Sequence, residues 1–535
     1  MKKIYKYCIA AVMMTVMTTS CDKFLDQMPD NRAEIDSISK IESLLTSAYP
    51  QSDYSTIAEY SSDNVNCLSE NNPYTDRFID QVYAWQDITE TNNSSDENLW
   101  QGCYSAIAAA NQALISIDEL YPSADADGRA TLDACRGEAL MCRAYSHFIL
   151  VNMFCLQYND ETSSVDPGVP YMKSAEHTLN PAYERGTVSE DYENIRVDLE
   201  EGLELVSDLY YTVPKYHFNQ KAAWAFACRF YLYYGDYDKC IEYADKVLGS
   251  SPKSMLRDYE ALGSMTSSFD AVTQAYVDDA ANCNLLLTTT YGILAFAQGE
   301  YIYWSKYSQT SNIMTSEMAS ADQPWGKGTY YSLVYRATAD NINRSVFWRL
   351  PEFFEYTDAV AGIGYTHTVI PVLTTDEVLL NRAEAYILLG RYSKALEDMN
   401  LWRTNVYEEG TTSVLTRDNI KSFYDGIGYS NDENSSNPLT QTQKKHLNPA
   451  FAIDAEGSVQ ESMLQCVLTM RRIETAQLGM RWFDVKRYGI EIPRITLNSA
   501  GQPAEITDRL RVDDGRRAIQ IPLKVIASGF EANVR

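Results

Sequence analysis

Two stretches of the chain place small residues and a glycine at the spacing of a folded helix pair, and this constrains the fold most. Trp224, Cys228, Tyr231, Gly235, Tyr237, Cys240, Ala244 and Pro252 form the first stretch. Leu379, Ala383, Tyr386, Gly390, Tyr392, Ala395 and Met399 form the second. Both follow tetratricopeptide spacing, in which two antiparallel helices turn at the glycine and touch through the small residues. Such pairs cannot bury their apolar faces alone, so they stack and share one continuous core. The alignment sets Cys228 against Cys240, as packed thiols or as a disulfide if their Cβ atoms come within roughly 3.5–4.5 Å.

Helical period extends beyond the repeats, over 98–157 and 186–249. Trp100, Tyr104, Ile107, Asn111 and Leu114 recur every three or four residues, as do Leu140, Ala144, His147, Val151 and Phe154. Each set therefore occupies one helix face. Thr187 with Glu190, and Thr374 with Glu377, predict capping boxes ahead of helices over 192–205 and 378–389. Between and after the repeats the pattern fades. Residues 262–373 and 404–458 are rich in Ser, Thr, Tyr and Gly; 301–304 reads as a strand, 322–328 as a turn, and 431–437 as a mobile tip. Stretches this long without helical period usually carry function.

The start of the chain reads as an export signal. Lys2, Lys3 and Lys6 precede an apolar run over 9–17, and Thr18-Thr19-Ser20-Cys21 follows. The run is about half the ~20 residues a spanning helix needs. The expectation is a signal over 1–20, lipidation at Cys21, and one domain over 21–535. Within that domain a helical core occupies about 37–261, 374–403 and 460–488. Removing 1–20 takes away three lysines and no acids, moving the formal charge from −28 to −31. With no Lys/Arg stripe in the chain, nucleic acid is a poor partner. Of eleven cysteines, nine lie beyond Cys21; they are odd in number, form no CxxC pair, and are read as small buried residues.

The order of these segments resembles the RagB/SusD family of Bacteroidota outer-membrane lipoproteins. Cys21-Asp22-Lys23-Phe24-Leu25-Asp26 is similar to the family's start after its lipid site. Trp100, Tyr104, Ile107 and Asn111 resemble its first helix, and Gly137-Glu138-Ala139 through Arg143-Ala144-Tyr145 and Phe148 its second. Arg185, Thr187-Val188, Tyr192, Ile195 and Asp198-Leu199 continue the order, as do Asp340, Arg344 and Glu377-Val378 through Arg382-Ala383-Glu384-Ala385-Tyr386. The most specific match runs from Arg471-Arg472-Ile473-Glu474 to Arg481-Trp482-Phe483-Asp484-Val485-Lys486-Arg487-Tyr488-Gly489. Thr18 and Thr374 depart from the Leu and Arg usual at those places. Met470, Thr475 and Leu478 also depart from the family pattern, and the end after Ile521-Pro522 lacks the usual Asn-Pro-Gly-Tyr finish. The resemblance implies a mainly α fold with a tetratricopeptide-like core, long irregular loops, minor β and an irregular binding face. It also implies an acylated Cys21 at the outer membrane, an oligosaccharide or peptide ligand, and a SusC-like TonB-dependent transporter as partner.

The sequence carries no GxSxG, P-loop, HExxH or dinucleotide motif, and its five histidines lie apart. No cofactor, metal or catalytic residue is expected. His147 reads as a satisfied core residue. Arg471, Arg472, Glu474, Arg481, Asp484, Lys486 and Arg487 fall at spacings that pair them into a salt-bridged helix face. Binding chemistry points instead to aromatics, 39 Tyr among them, because a flat ring covers the apolar face of a sugar while amides meet its hydroxyls. Outside helical period the candidates are Tyr74, Trp85, Trp304, Tyr307, Trp325 and Tyr330. Their polar neighbours are Asn71, Asn72, Arg77 and Gln323. Trp85, Trp304 and Trp325 are expected to include at least one stacking platform for sugar. Surface glycan capture is the leading function, with peptide capture, a glycoside hydrolase and a plain interaction scaffold as alternatives.

Overall fold

The computed structural model describes residues 35–68, 72, 74–175, 183–265, 268–298, 305–331, 334–337 and 343–535. The expected signal over 1–20, Cys21, Asn71, His177, Trp304 and the 301–304 segment lie outside these residues. Helix dominates. The long helices are α1 (Asp96–Leu120), α2 (Ala126–Phe154), α3 (Val188–Leu205), α4 (Gln220–Tyr234), α5 (Tyr237–Leu248), α6 (Thr375–Leu388), α7 (Tyr392–Val406), α8 (Val459–Glu474) and α9 (Met480–Arg487). They pack as neighbours, α1 on α2, α2 on α3, α4 on α5, then α5 on α6, with α6 also against α7 and α8. One apolar core runs through them from Ile41 to Ile521. Among the described residues no helix is long and apolar enough to cross a membrane.

The repeat spacing is realised residue by residue. Gly235 ends α4 at φ +91° and Gly390 follows α6 at φ +69°, a left-handed backbone that glycine adopts without a Cβ penalty. Ala244, Ala383 and Ala395 are fully buried where helices meet. Cys228 and Cys240 lie with their sulfurs 3.6 Å apart as free, buried thiols. The Thr187 capping box is complete. At Thr374 only half of it forms: the Glu377 N–H donates to the threonine hydroxyl at 3.2 Å, but the Glu377 carboxylate turns to Arg229 at 2.7 Å. A buried guanidinium outcompetes the backbone N–H for that carboxylate.

Among the described residues three small sheets decorate the helices. Strands β1 (Asn66–Cys67), β3 (Tyr307–Ser308), β8 (Ile492–Leu497) and β9 (Pro503–Leu510) form one sheet in the order β3-β1-β8-β9. Strand β2 (Asn284–Thr290) pairs with β7 (Ile363–Thr374), which pairs with β6 (Phe353–Asp358); β4 (Val334–Ala337) pairs with β5 (Arg344–Phe347). The stretch 404–458 adds the helix Arg417–Asp425. Its segment at 431–437 is tied down at its start: Asn431 is buried, its N–H donates to Thr440 O at 2.7 Å and its amide to Pro438 O at 3.1 Å.

The charged run over 471–487 is buried and does not form a solvent-facing helix surface. Arg471 meets Asp484 at 3.0 Å and Glu384 at 3.6 Å, while Arg487 meets Glu384 at 2.7 Å. Arg481 reaches Asp63 at 2.7 Å. Glu474 accepts from Tyr259 at 2.6 Å and from Trp402 Nε1 at 2.8 Å. Only Arg487 with Asp484, at 3.6 Å, pairs at helical spacing within the run. The others cross between elements, and they fasten α8 and α9 to α6 and to the N-terminal segment. His147 is also a core residue. It is fully buried between Arg143 O at 2.9 Å and the Met172 N–H at 3.1 Å, and burial lowers its pKa to about 4.

Candidate functional site

Pairing of β1 with β3 brings two of the predicted aromatics together. Lys306 N–H donates to Tyr74 O at 2.9 Å, and the Asn72 amide donates to Ser305 Oγ at 2.8 Å. Tyr307 lies buried beneath, stacked on Tyr83 at 3.9 Å and donating to Asp80 at 2.6 Å. Tyr74 is 58 % exposed, and exposed Arg77 pairs with Glu90 at 3.3 Å. Trp85 and Trp325 do not join a surface. Trp85 is 2 % exposed, donates to Ser61 O at 2.9 Å, and carries the Arg494 guanidinium 3.7 Å over its ring. Trp325 is fully buried, edge-on to Trp402 and Tyr407 at 6.0 and 5.7 Å. Neither ring offers a face for stacking, because the loops that carry them fold over their own apolar side chains. Half-buried Tyr330 accepts from Arg349 at 3.1 Å and bridges to Tyr407, and Gln323 is buried against Met318 O at 2.9 Å.

A cavity walled by amides and hydroxyls lies elsewhere, beside the first turns of α1, with a volume of about 720 Å³. Its floor is Tyr49, Ser52, Gly102 and Ala106; its walls are Ser47, Gln51, Asn93, Asn98, Gln101, Ser105 and Ala109, with Tyr291 and Tyr365 across the mouth. None of these side chains is charged at neutral pH, although the chain as a whole is strongly acidic.

Local chemistry builds the cavity. The run Asn92-Asn93-Ser94-Ser95 turns the chain into α1: Ser95 Oγ accepts from the Asn98 N–H at 3.3 Å, and the Asn98 amide donates back to Asn93 O at 2.7 Å. Ser94 Oγ accepts from the Ile293 N–H at 2.9 Å, and Tyr291 N–H donates to Gln51 O at 2.9 Å. These bonds fix the segment after β2 against the segment before α1. Tyr365 arrives on β7 through the β2–β7 ladder, whose last pair is Thr290 with Thr368, and meets Tyr291 edge-on at 4.9 Å. In the floor Tyr49 donates to buried Glu138 at 2.6 Å, which also holds His217 at 2.7 Å. Beneath the wall, burial pushes Asp53 up to about 6, against the Ser55 and Thr56 N–H groups that favour its charged form. Sequence reasoning missed this cavity. Exposed amides on a helix flank look like ordinary solvent surface, and the only local signal was the polar run over 92–95.

Amides and hydroxyls around an uncharged cavity, with two tyrosine rings at its mouth, suit a neutral polyhydroxylated ligand. Glycoside hydrolysis needs two carboxylates about 5–10 Å apart across the substrate, and among the described residues no Asp or Glu lines this cavity. Among the described residues no three His, Cys, Asp or Glu side chains gather as a metal site.

Comparison with known proteins places the chain in a family. Residues 23–232 match a family model described as starch-binding associating with outer membrane, and residues 296–518 match the SusD family model. No curated protein sequence matches. A SusD superfamily protein from Bacteroides thetaiotaomicron is 16% identical with a TM-score of 0.62, covering 93% of this chain and 100% of its own. A putative sugar binding protein from Bacteroides vulgatus is 19% identical with a TM-score of 0.64, covering 94% and 99%. A SusD-like carbohydrate binding protein from the same species is 15% identical with a TM-score of 0.53, covering 89% of both chains. At these identities the structures share the fold, and with two family models matching its two halves the chain belongs to the RagB/SusD family.

Proposed function

We propose that the protein captures oligosaccharide at the outer-membrane surface and passes it to a SusC-like TonB-dependent transporter. The observation that carries this is the uncharged, amide- and hydroxyl-lined cavity beside α1 with Tyr291 and Tyr365 at its mouth. Exposed Tyr74 offers a further ring outside this cavity. Two relatives of the same fold are named as sugar or carbohydrate binding proteins, which supports the same ligand class here. Lipidation at Cys21 supplies the tether, since an acyl chain holds a folded domain at a membrane without spanning it.

Affinity gels and calorimetry with a panel of neutral polysaccharides and oligosaccharides test the ligand class. Retardation by at least one glycan, and none by peptides, is expected. Binding of peptides alone would move the assignment to peptide capture on the same scaffold.

A further inference from the structure

A second cavity, of about 660 Å³, flanks α1 on its other side. Helical geometry explains the division. At 100° per residue, Asn98, Gly102, Ala106 and Ala109 share one flank of α1, and Trp100, Tyr104, Ile107 and Asn111 share the opposite flank. Gln101 and Ser105 lie between them on the exposed ridge and line both cavities. A ligand that fills both therefore crosses a ridge about 10 Å wide, the breadth of a helix with its side chains.

The two cavities differ in chemistry. The second is walled by Trp100, Tyr104, Tyr183 and Phe530, with Met172 and Val525. The polar groups behind those walls are consumed internally. Tyr104 donates to Pro170 O at 2.9 Å, and the Asn111 amide donates to Met172 O at 3.0 Å and Ser174 O at 3.2 Å. The far wall is also built. Gly529, at φ +102°, turns the chain so that Phe530 meets Trp100 edge-on at 5.8 Å. Arg185 holds this tail, donating to Gly168 O at 2.8 Å and to Asn533 Oδ1 at 2.9 Å, with its guanidinium 5.8 Å from the Phe530 ring. Among the described residues no charged side chain lines the cavity. Rings, a thioether and aliphatic carbons around a volume within the ~300–1,000 Å³ of small-molecule sites favour a flat apolar guest.

We propose that this cavity is a second binding site that takes an aryl group, as an aglycone or ester substituent, carried on the saccharide held in the first cavity. This rests on the glycan assignment above. The saccharide lies among the amides, the linkage crosses Gln101 and Ser105, and the aryl ring enters between Tyr183 and Phe530.

The test is calorimetric or fluorescence titration with three probes: neutral disaccharides of glucose, xylose, mannose and galactose, their 4-methylumbelliferyl glycosides, and free 4-methylumbelliferone. Two variants alter only the second cavity. Tyr183→Ala removes a partly exposed wall, and Ser528→Trp fills the space from an exposed position. The expected result is that at least one glycoside binds about tenfold tighter than its parent sugar, a difference of roughly 1.4 kcal/mol. Both variants should erase that preference and leave parent-sugar affinity and melting temperature unchanged. Equal affinity for glycoside and parent, or a preference that survives both variants, overturns the proposal. Umbelliferone binding that both variants abolish, with no sugar bound by any form, keeps the aryl site and overturns the glycan assignment instead.

Discussion

Gly102 lies directly against Ser52: a Cβ at position 102 would stand 2.1 Å from the Ser52 Oγ, in the floor of the polar cavity. Glycine inside a helix costs about 1 kcal/mol relative to alanine, so its presence in α1 marks a close approach. Gly102→Ala is expected to leave stability within about 1 kcal/mol of the wild type, because the gain in helix propensity offsets the displacement of the small Ser52 side chain. It should weaken glycan binding, since the methyl group and the moved hydroxyl both intrude on the cavity. Paired melting curves and calorimetric titrations check this.

Tyr74 and Trp85 separate a surface ring from a core ring. Tyr74→Ala is expected to leave the melting temperature nearly unchanged, because the side chain is more than half exposed. Trp85→Ala should cost about 3–5 kcal/mol, as large buried truncations do. It also strips the Arg494 guanidinium of the ring it lies over. Denaturant unfolding of both variants gives the comparison.

Much of the fold was legible in the sequence, and for a definite reason. Helical spacing is local, so Gly235, Ala383 and the Cys228–Cys240 contact could be placed from residue types alone. The binding face was less legible because it is assembled by contacts distant in sequence. Tyr291 and Tyr365 meet only through the β2–β7 register, and Asn93 reaches them only through Ser94 and Ile293. Trp85 and Trp325 misled because absence of helical period does not imply exposure; each lies in a loop that packs inward. The charged run over 471–487 was read within its own helices, whereas its partners Asp63 and Glu384 come from elsewhere in the chain.

That buried network is expected to be costly to break. Arg471 bridges Asp484 and Glu384, all three shielded from solvent. Arg471→Ala leaves Glu384 and Asp484 with Arg487 but without the second cation that bridges them, and removing one partner of a buried pair costs roughly 3–5 kcal/mol. The loss should show in the unfolding midpoint, with glycan affinity retained at temperatures where the variant is still folded.

Asp191 gives a pH dependence. Burial pushes its carboxyl up to about 8, against the Val169 N–H that favours the charged form. Between the unfolded value near 4 and about 8, the folded chain holds a proton that the unfolded chain has lost. The contribution to stability is therefore fully present below about pH 4 and is lost as pH rises through 8. From pH 5 to pH 8 the wild type should lose stability relative to Asp191→Asn, whose amide oxygen still accepts from Val169. Parallel curves for the two proteins across that interval would contradict the assignment.

The central claim is that the uncharged cavity beside α1 holds the sugar. Calorimetric titration of a glycan that binds the wild type into Tyr365→Ala and Asn93→Ala tests it most directly, because both side chains are exposed at the cavity and neither supports the core. The account predicts that each substitution weakens binding about tenfold or more, the effect of roughly 1.4 kcal/mol, while the melting temperature stays at the wild-type value. Unchanged affinity in both variants would contradict it.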